Sequence, residues 1–221
     1  KGDGDVIWAS VLADCANGTP QALYEGGRIE AWQFLPARWE LMPPKSYMWA
    51  SVQTVRGCPK HCSFCSVWRT DGQQPRQRAS EVVVQEIVEL RRMGFRFVVL
   101  ADDNFYPVTL EDVNLATRQK DAHRLAELKG LRAGRFELMA RLAELPGDMV
   151  FFTQITMEAG EDPEFLDAMR RAHIHGALVG IESVTPEGLK AVFKEFNSAG
   201  KDLGHRLQMF RNHDVHVLGS F

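Results

Sequence analysis

Apolar positions along the chain alternate between two spacings, which predicts strands separated by helices. Continuous or alternating apolar runs indicate strands, and apolar residues three or four apart indicate helices. We predict five strands, at 52–56, 97–100, 149–155, 177–181 and 215–218. We predict helices over 80–94, 109–145 with breaks near Gly130 and Gly134, 162–172, and 185–212 with a break near Gly200. Strands joined by helical crossovers indicate an α/β protein with a parallel sheet or barrel.

The first 50 residues follow a different pattern. A helical stretch over 6–17 is followed by residues 18–50, which are rich in proline and tryptophan and show little periodicity. We interpret this region as the tail of one domain and a linker that packs on the next. Cys15 lies in the helical stretch, and we expect it to be a buried structural thiol.

Composition narrows the possible partners. The net charge is -3, and 45% of the residues are hydrophobic. Because nucleic-acid-binding proteins usually carry a basic excess, we expect no nucleic-acid partner. The longest apolar run, near residues 97–101, is far shorter than the roughly 18 residues of a membrane helix, so we expect no membrane span. Three of the four cysteines are clustered, which favours a metal or redox centre in a reducing compartment, the cytoplasm.

The clustered cysteines form a Cys58-x3-Cys62-x2-Cys65 motif directly after the first predicted strand. Three thiolates on one short loop can each bind one iron of a four-iron, four-sulfur (4Fe-4S) cluster and leave the fourth iron open to a ligand. The alternatives are a zinc site with His61 as fourth ligand, or an iron–sulfur or zinc module that transfers electrons or binds a partner. Zinc is disfavoured because His61 adjoins Cys62 and no second pair of ligands follows.

The segment around these cysteines is locally basic. Three interpretations are open. The positive charge offsets the negative charge of thiolates and sulfides, or it binds a carboxylate or phosphate group, or the side chains are simply solvated. The basic residues are Arg56, Lys60, Arg69, Arg76 and Arg78.

Polar residues also follow the other predicted strands. In parallel α/β folds, chemistry sits at the carboxyl ends of the strands, so these side chains should gather on the same rim as the cysteines. They are Asp102, Asp103 and Asn104 after the second strand, Gln154 in the third, and Glu182 and Ser183 after the fourth.

The cysteine motif, with Phe64 just before its last cysteine, resembles the signature of the radical S-adenosylmethionine (SAM) superfamily. Further strings resemble the branch of that superfamily that carries a cobalamin (vitamin B12)-binding domain. These are Val52-Gln-Thr-Val-Arg-Gly-Cys-Pro59, Asp102-Asp-Asn-Phe105 and Gly180-Ile-Glu-Ser183, together with Gly2-Asp-Gly-Asp5, Tyr24 and Pro36-x-Arg38 near the start.

The resemblance implies a partial (β/α)6 TIM-like barrel with five of its six βα units present, preceded by the tail of a Rossmann-like cobalamin-binding domain. Residues 1–24 would be that tail, 25–50 the linker, and 51–221 the radical SAM core barrel, truncated at its C-terminus. The histidine motif that binds cobalamin in this branch is absent from these residues. We therefore expect cobalamin to be a cofactor of a longer protein and not to be bound by this fragment alone.

The resemblance also implies the chemistry. Cys58, Cys62 and Cys65 would hold the 4Fe-4S cluster, which reductively cleaves SAM to a 5'-deoxyadenosyl radical. Phe64 would lie near the adenine, and Asp102, Asp103 and Asn104 near the methionyl amine. Glu182 and Ser183 would contact the ribose, and Gln154 would touch SAM or substrate.

The leading interpretation is a cobalamin-dependent methyltransferase acting on a small molecule whose identity the sequence does not give. The alternative within enzymes is a radical SAM cyclase or oxidoreductase that makes no chemical use of cobalamin. Either enzyme needs a low-potential electron donor such as a flavodoxin or ferredoxin.

Overall fold

The structure is a computed structural model that describes residues 1–43, 45–197 and 203–221. Over these ranges and from residue 50 onward, one or two α-helices separate each strand of the main sheet from the next, with a short two-stranded sheet between the first two. The strands are β1 (Ala50–Val52), β2 (Val55–Arg56), β3 (Arg76–Gln77), β4 (Phe97–Leu100), β5 (Val150–Ile155), β6 (Ile174–Gly180) and β7 (His216–Ser220). The α-helices are α1 (Trp8–Ala16), α2 (Val67–Thr70), α3 (Ser80–Arg92), α4 (Leu110–Arg118), α5 (Ala122–Ala143), α6 (Pro163–Arg171), α7 (Pro186–Ala191) and α8 (Leu203–Asn212).

The main sheet has five parallel strands in the order β1-β4-β5-β6-β7. The connecting helices pack on the sheet and bury part of each strand from β1 to β6 in this sheet, whereas β7 at its edge has no buried residue. Val83, Ile87 and Leu90 share one face of α3 and are fully buried in the same core as Val98 and Leu100 of β4. This parallel α/β architecture confirms the predicted fold class, and the carboxyl ends of the five strands define one rim.

The first predicted strand, 52–56, divides into two pieces. β1 joins the main sheet, whereas β2 pairs with β3 in a separate antiparallel two-stranded sheet. The reason lies between them, where the backbone N–H groups of Thr54 and Val55 donate to the Asp102 carboxylate instead of to a neighbouring strand.

The long helical region breaks at 119–121 and not at Gly130 or Gly134, so the predicted position of the break is wrong. Asp121 caps α5 by accepting a hydrogen bond from the Arg124 N–H. Gly130 and Gly134 both lie inside α5. Gly134 leaves room for the Gln77 side chain, whose Nε2 would lie 3.1 Å from an added Cβ. The predicted break near Gly200 lies outside the described residues.

The prediction that Cys15 is buried is also wrong, because its thiol is exposed. α1 contains no buried residue, and Trp8 and Leu12 are each more than half exposed. The helix therefore presents its apolar residues to solvent, and Cys15 has no core in which to be enclosed. None of the helices in the described ranges has the length and apolar composition needed to span a bilayer.

Candidate active site

One cavity of about 240 Å³ opens at the carboxyl rim of the sheet. It brings together eight of the ten side chains that the sequence predicts for the site. These are Cys58, Cys62, Phe64, Cys65, Asp103, Asn104, Gln154 and Glu182. Asp102 and Ser183 do not line it.

The cysteine loop, residues 57–75, connects β2 to β3 and carries all three clustered cysteines. Gly57 begins the loop with a φ of 92°, a left-handed conformation that favours glycine, and a Cβ there would lie 2.9 Å from the Gln74 carbonyl oxygen. The Cys58 N–H donates to the Gly72 carbonyl at 3.1 Å, which closes the loop's base. The Trp68 indole N–H donates to the Cys62 carbonyl at 3.1 Å and fixes its middle.

The thiols themselves are sheltered. Cys62 is buried, and Cys58 and Cys65 are half-buried. Burial raises the pKa of Cys58 to about 11 and shifts the pKa of Cys62 in the same direction, so both are neutral thiols near pH 7. Binding a soft metal would therefore release protons. Among the described residues, no three His, Cys, Asp or Glu side chains already converge as ligands of a single ion.

Asp102 and Asp103 point to opposite sides of the rim. The Asp102 carboxylate is buried, accepts hydrogen bonds from both N–H and Oγ1 of Thr54, and lies 3.9 Å from the Arg135 guanidinium. Asp103 faces the cavity and accepts a hydrogen bond from the Gly57 N–H at 2.6 Å. Burial raises the pKa of Asp103.

Asn104 supplies an unused donor. Its Oδ1 accepts a hydrogen bond from the Tyr106 N–H at 3.1 Å, whereas its buried Nδ2 has no hydrogen-bond partner within the described part of the chain. A buried polar group without a partner costs free energy and is a feature of sites that await a ligand. The observation fits a polar ligand that accepts a hydrogen bond inside the cavity.

Two lysines that the sequence did not single out as cavity ligands also line the cavity. Lys60 Nζ lies 2.9 and 2.8 Å from the two carboxylate oxygens of Glu158. Lys194 Nζ lies 2.9 Å from Glu182 Oε1 and donates to the Gly180 carbonyl at 3.1 Å. A Cβ at Gly180 would collide with both charged groups, so the glycine makes room for this pair.

The remaining predicted residues lie at the edge of the cavity or beyond it. Phe64 is 60% exposed at the cavity, with the Lys194 ammonium 5.8 Å from the centre of its ring. Gln154 leaves its side chain exposed in the cavity, while its backbone carbonyl accepts from the Phe105 N–H. Ser183 lies outside, where its Oγ accepts a hydrogen bond from the Thr185 N–H near the start of α7.

The cavity thus combines three thiols with carboxylates, an amide donor without a partner in the described part of the chain, and apolar walls. Thiolates of this kind bind iron–sulfur clusters or zinc. The polar groups lie on the strand ends next to the thiols, which is where a ligand of a metal bound by those thiols would extend.

A parallel α/β fold with a three-cysteine loop at the carboxyl end of its first strand is the architecture of the radical SAM class. Residues 52–212 match the family model of the Radical SAM superfamily, and the chain belongs to that superfamily. The family recognised from the cysteine motif is therefore confirmed.

Two curated relatives extend the comparison. A hopanoid C-2 methylase of Rhodopseudomonas palustris (strain TIE-1) is 29% identical over 175 residues, which cover 77% of this chain and 29% of the relative. An uncharacterized methyltransferase of Synechocystis sp. is 26% identical over 162 residues, which cover 73% of this chain and 27% of the relative. The chain spans less than a third of the length of these relatives.

Solved structures show the same fold. The radical S-adenosylmethionine methyltransferase TsrM from Kitasatospora setae superposes with a TM-score of 0.64 at 19% identity, covering 99% of this chain and 44% of that one. The cobalamin-dependent S-adenosylmethionine radical enzyme OxsB superposes with a TM-score of 0.57 at 14% identity, covering 76% of this chain and 23% of that one.

Proposed function

We propose that this chain is the core of a radical SAM enzyme in which Cys58, Cys62 and Cys65 hold a 4Fe-4S cluster and the adjoining cavity binds SAM. The observation that carries the proposal is the shared cavity, which is lined by the three thiols and by five other side chains predicted to meet SAM. When bound, the cluster and SAM supply one-electron chemistry, and the protein orients and shields the reacting groups.

Different polar side chains of the cavity suit different groups of SAM. The Asp103 carboxylate suits the methionyl ammonium, and the free Nδ2 of Asn104 suits an oxygen acceptor on the same ligand. Glu182 suits the ribose hydroxyls, and its pairing with Lys194 fixes the orientation of its carboxylate. Asp102 and Ser183 make their bonds to the protein itself, which supports a structural role for both.

The apolar side chains of the cavity suit the adenine and exclude water. Phe64 offers its ring to the adenine, while Ile155, Leu178 and Phe196 add apolar surface between the polar groups. Excluding water from this space protects a reactive intermediate from side reactions. Gln154 lies beside this apolar surface and offers an amide to SAM or to substrate.

Methyl transfer to a small molecule with the help of cobalamin is the reaction we propose for the whole protein. The support is that two curated relatives are a methylase and a methyltransferase, and that TsrM and OxsB are described as a methyltransferase and a cobalamin-dependent enzyme. In this proposal residues 1–24 end a cobalamin-binding-like domain, residues 25–50 are the linker, and a flavodoxin or ferredoxin in the cytoplasm supplies electrons.

Anaerobic reconstitution with iron and sulfide tests the cluster. We expect about four irons per chain and, with SAM and a strong reductant, release of 5'-deoxyadenosine. Substitution of Cys58, Cys62 or Cys65 by alanine should abolish the cluster, whereas Cys15→Ala, a matched change at an exposed thiol, should leave the iron content unchanged. Stable zinc without SAM cleavage, or full iron in a Cys62→Ala chain, would contradict the proposal.

A labelling experiment separates the two enzymatic outcomes. Because we expect this chain alone not to bind cobalamin, the whole protein, including the proposed cobalamin-binding domain, is reconstituted and incubated with reduced cobalamin and SAM that carries an isotopic label on its methyl group. Label found on cobalamin supports methyl transfer. Release of 5'-deoxyadenosine with no label on cobalamin supports the cyclase or oxidoreductase instead.

A further inference from the structure

Two arginines face each other at the base of the cysteine loop. Arg56 in β2 and Arg76 in β3 are direct partners in the antiparallel pairing, and the side chain of Arg76 is only 6% exposed. Like charges directly opposite each other destabilise a strand pair unless a counter-charge lies between them. The pairing of the two ends of the loop is therefore more stable when a counter-charge neutralises these arginines.

The counter-charge comes from the start of the chain. Asp3 is 3% exposed, and its carboxylate contacts both arginines. Oδ1 lies 2.7 Å from Arg56 NH1, and Oδ2 lies 2.6 Å from Arg76 NH1. Oδ2 also accepts the Ile29 N–H at 2.8 Å, so the carboxylate is held in place from a third side.

Further contacts make this a built arrangement. The Phe34 ring lies under both guanidinium groups, 4.0 Å from Arg56 and 5.3 Å from Arg76. Asp5 adds a second carboxylate 2.8 Å from Arg56 NH1. Arg76 NH2 continues into the cysteine loop and donates to the Asp71 carbonyl at 2.9 Å.

We propose that Asp3 is a positioning residue for the metal centre, because its carboxylate draws Arg56 and Arg76 together and so fixes the two ends of the loop that carries Cys58, Cys62 and Cys65. Residue 56 precedes the first of these cysteines by two positions. The hydrogen bond from the Cys58 N–H to the Gly72 carbonyl lies in the loop directly next to the contact between Asp3 and the two arginines. The segment before the barrel thereby sets the shape of a cavity that it does not line. The link to the cluster rests on the proposed function, whereas the link to the loop does not.

Hydrogen exchange on the full chain without metal tests the positioning directly. Asp3→Asn leaves two facing arginines with a neutral partner, and loss of one member of a buried ion pair is strongly destabilising locally. We expect the amides of Cys58 and its neighbours in the loop to exchange about tenfold faster, with the β5 and β6 amides unchanged. The matched control is Asp14→Asn, which changes a half-buried carboxylate in the same segment that accepts hydrogen bonds from Gln21 and Tyr24. It should change neither set of amides.

Two exchange results would overturn the proposal. One is a loop in Asp3→Asn that is as protected as in the wild type, and the other is equal acceleration of the loop and of β5 and β6, which would show a general loss of stability. If Asp3→Asn does not fold, Asp5→Asn takes its place. It removes one contact to Arg56, and acceleration must again be confined to the loop.

The reconstituted protein provides a second measurement. We expect Asp3→Asn to bind less iron than Asp14→Asn and to show a changed electron paramagnetic resonance signal of the reduced cluster when SAM is added. An unchanged iron content and signal would contradict the effect on the metal centre. If the wild-type chain takes up no cluster at all, the proposed function fails, while the exchange experiment still decides whether Asp3 positions the loop.

Discussion

Replacing Asp102 by asparagine should cost stability while leaving the cavity lining intact. The Asp102 side chain is fully buried, and its carboxylate is held by Thr54, Val55 and Arg135. The substitution removes the negative charge but leaves the Arg135 guanidinium, whose side chain is 1% exposed. Burial lowers the pKa of Arg135 to about 10 although the Asp102 carboxylate opposes this shift, so in the wild type the guanidinium is charged at neutral pH.

The size of the loss follows from that stranded charge. Removing one partner of a buried ion pair typically costs about 3–5 kcal/mol, because the other charge keeps its desolvation penalty. Asparagine can keep its Oδ1 as acceptor for the Thr54 and Val55 N–H groups, but its amide nitrogen then replaces the oxygen that accepts from the Thr54 hydroxyl, so that hydrogen bond is lost. For a chain of this length the loss corresponds to a fall of roughly 10 °C in the thermal midpoint.

Urea unfolding of matched variants measures this loss. Asp103→Asn changes the neighbouring carboxylate, which makes a bond to the Gly57 N–H and faces the cavity, so we expect it to cost about 1 kcal/mol and to weaken SAM binding instead. Asp102→Asn combined with Arg135→Met should be more stable than Asp102→Asn alone, because the stranded charge is gone. Equal stabilities of Asp102→Asn and Asp103→Asn would refute the reasoning.

Three further outcomes follow from other contacts. Burial opposes ionisation of Asp3, but hydrogen bonds from Arg76, the Ile29 N–H and Arg56 outweigh it and lower its pKa to about 2. The resulting stabilisation of about 2 kcal/mol is present above pH 4 and is lost as pH falls from about 4 to 2. The free energy of unfolding, measured with urea, should therefore fall more steeply over this pH range for the wild type than for Asp3→Asn. Parallel pH profiles of the two proteins would contradict this. Lys194→Met should weaken SAM binding by about tenfold in calorimetric titration of the reconstituted protein, because Glu182 loses its partner, and unchanged affinity would count against that role. Gly57→Ala should lower the thermal midpoint by about 3–6 °C, since its φ of 92° suits glycine, and a midpoint equal to that of the wild type would disprove this.

The sequence predicts the rim of the sheet well because local signals define it. Apolar runs locate the strands within a few residues, and the parallel arrangement then places their carboxyl ends together. The cysteine spacing is equally local. Most of the predicted side chains consequently line one cavity, although their positions in the chain extend from Cys58 to Glu182.

The features of the site and fold that could not be predicted from the sequence depend on contacts between distant segments. Nothing local distinguishes Asp102 from Asp103, and their roles separate only because Thr54 and Arg135 lie on the inner side. Lys194 enters the cavity from a segment with no motif of its own. The exposure of Cys15 likewise depends on the absence of packing on α1 in the described structure, which periodicity cannot reveal.

The order of the strands has a consequence for how the chain folds during synthesis. In the main sheet every strand lies beside the strand of that sheet that precedes it in the chain. Each new strand leaving the ribosome therefore finds its neighbour already made, and long-range searches are avoided. Asp3, Arg56 and Arg76 have all been synthesised before β4 begins. The cysteine loop can be closed, and its cysteines gathered, while most of the barrel is still to be translated.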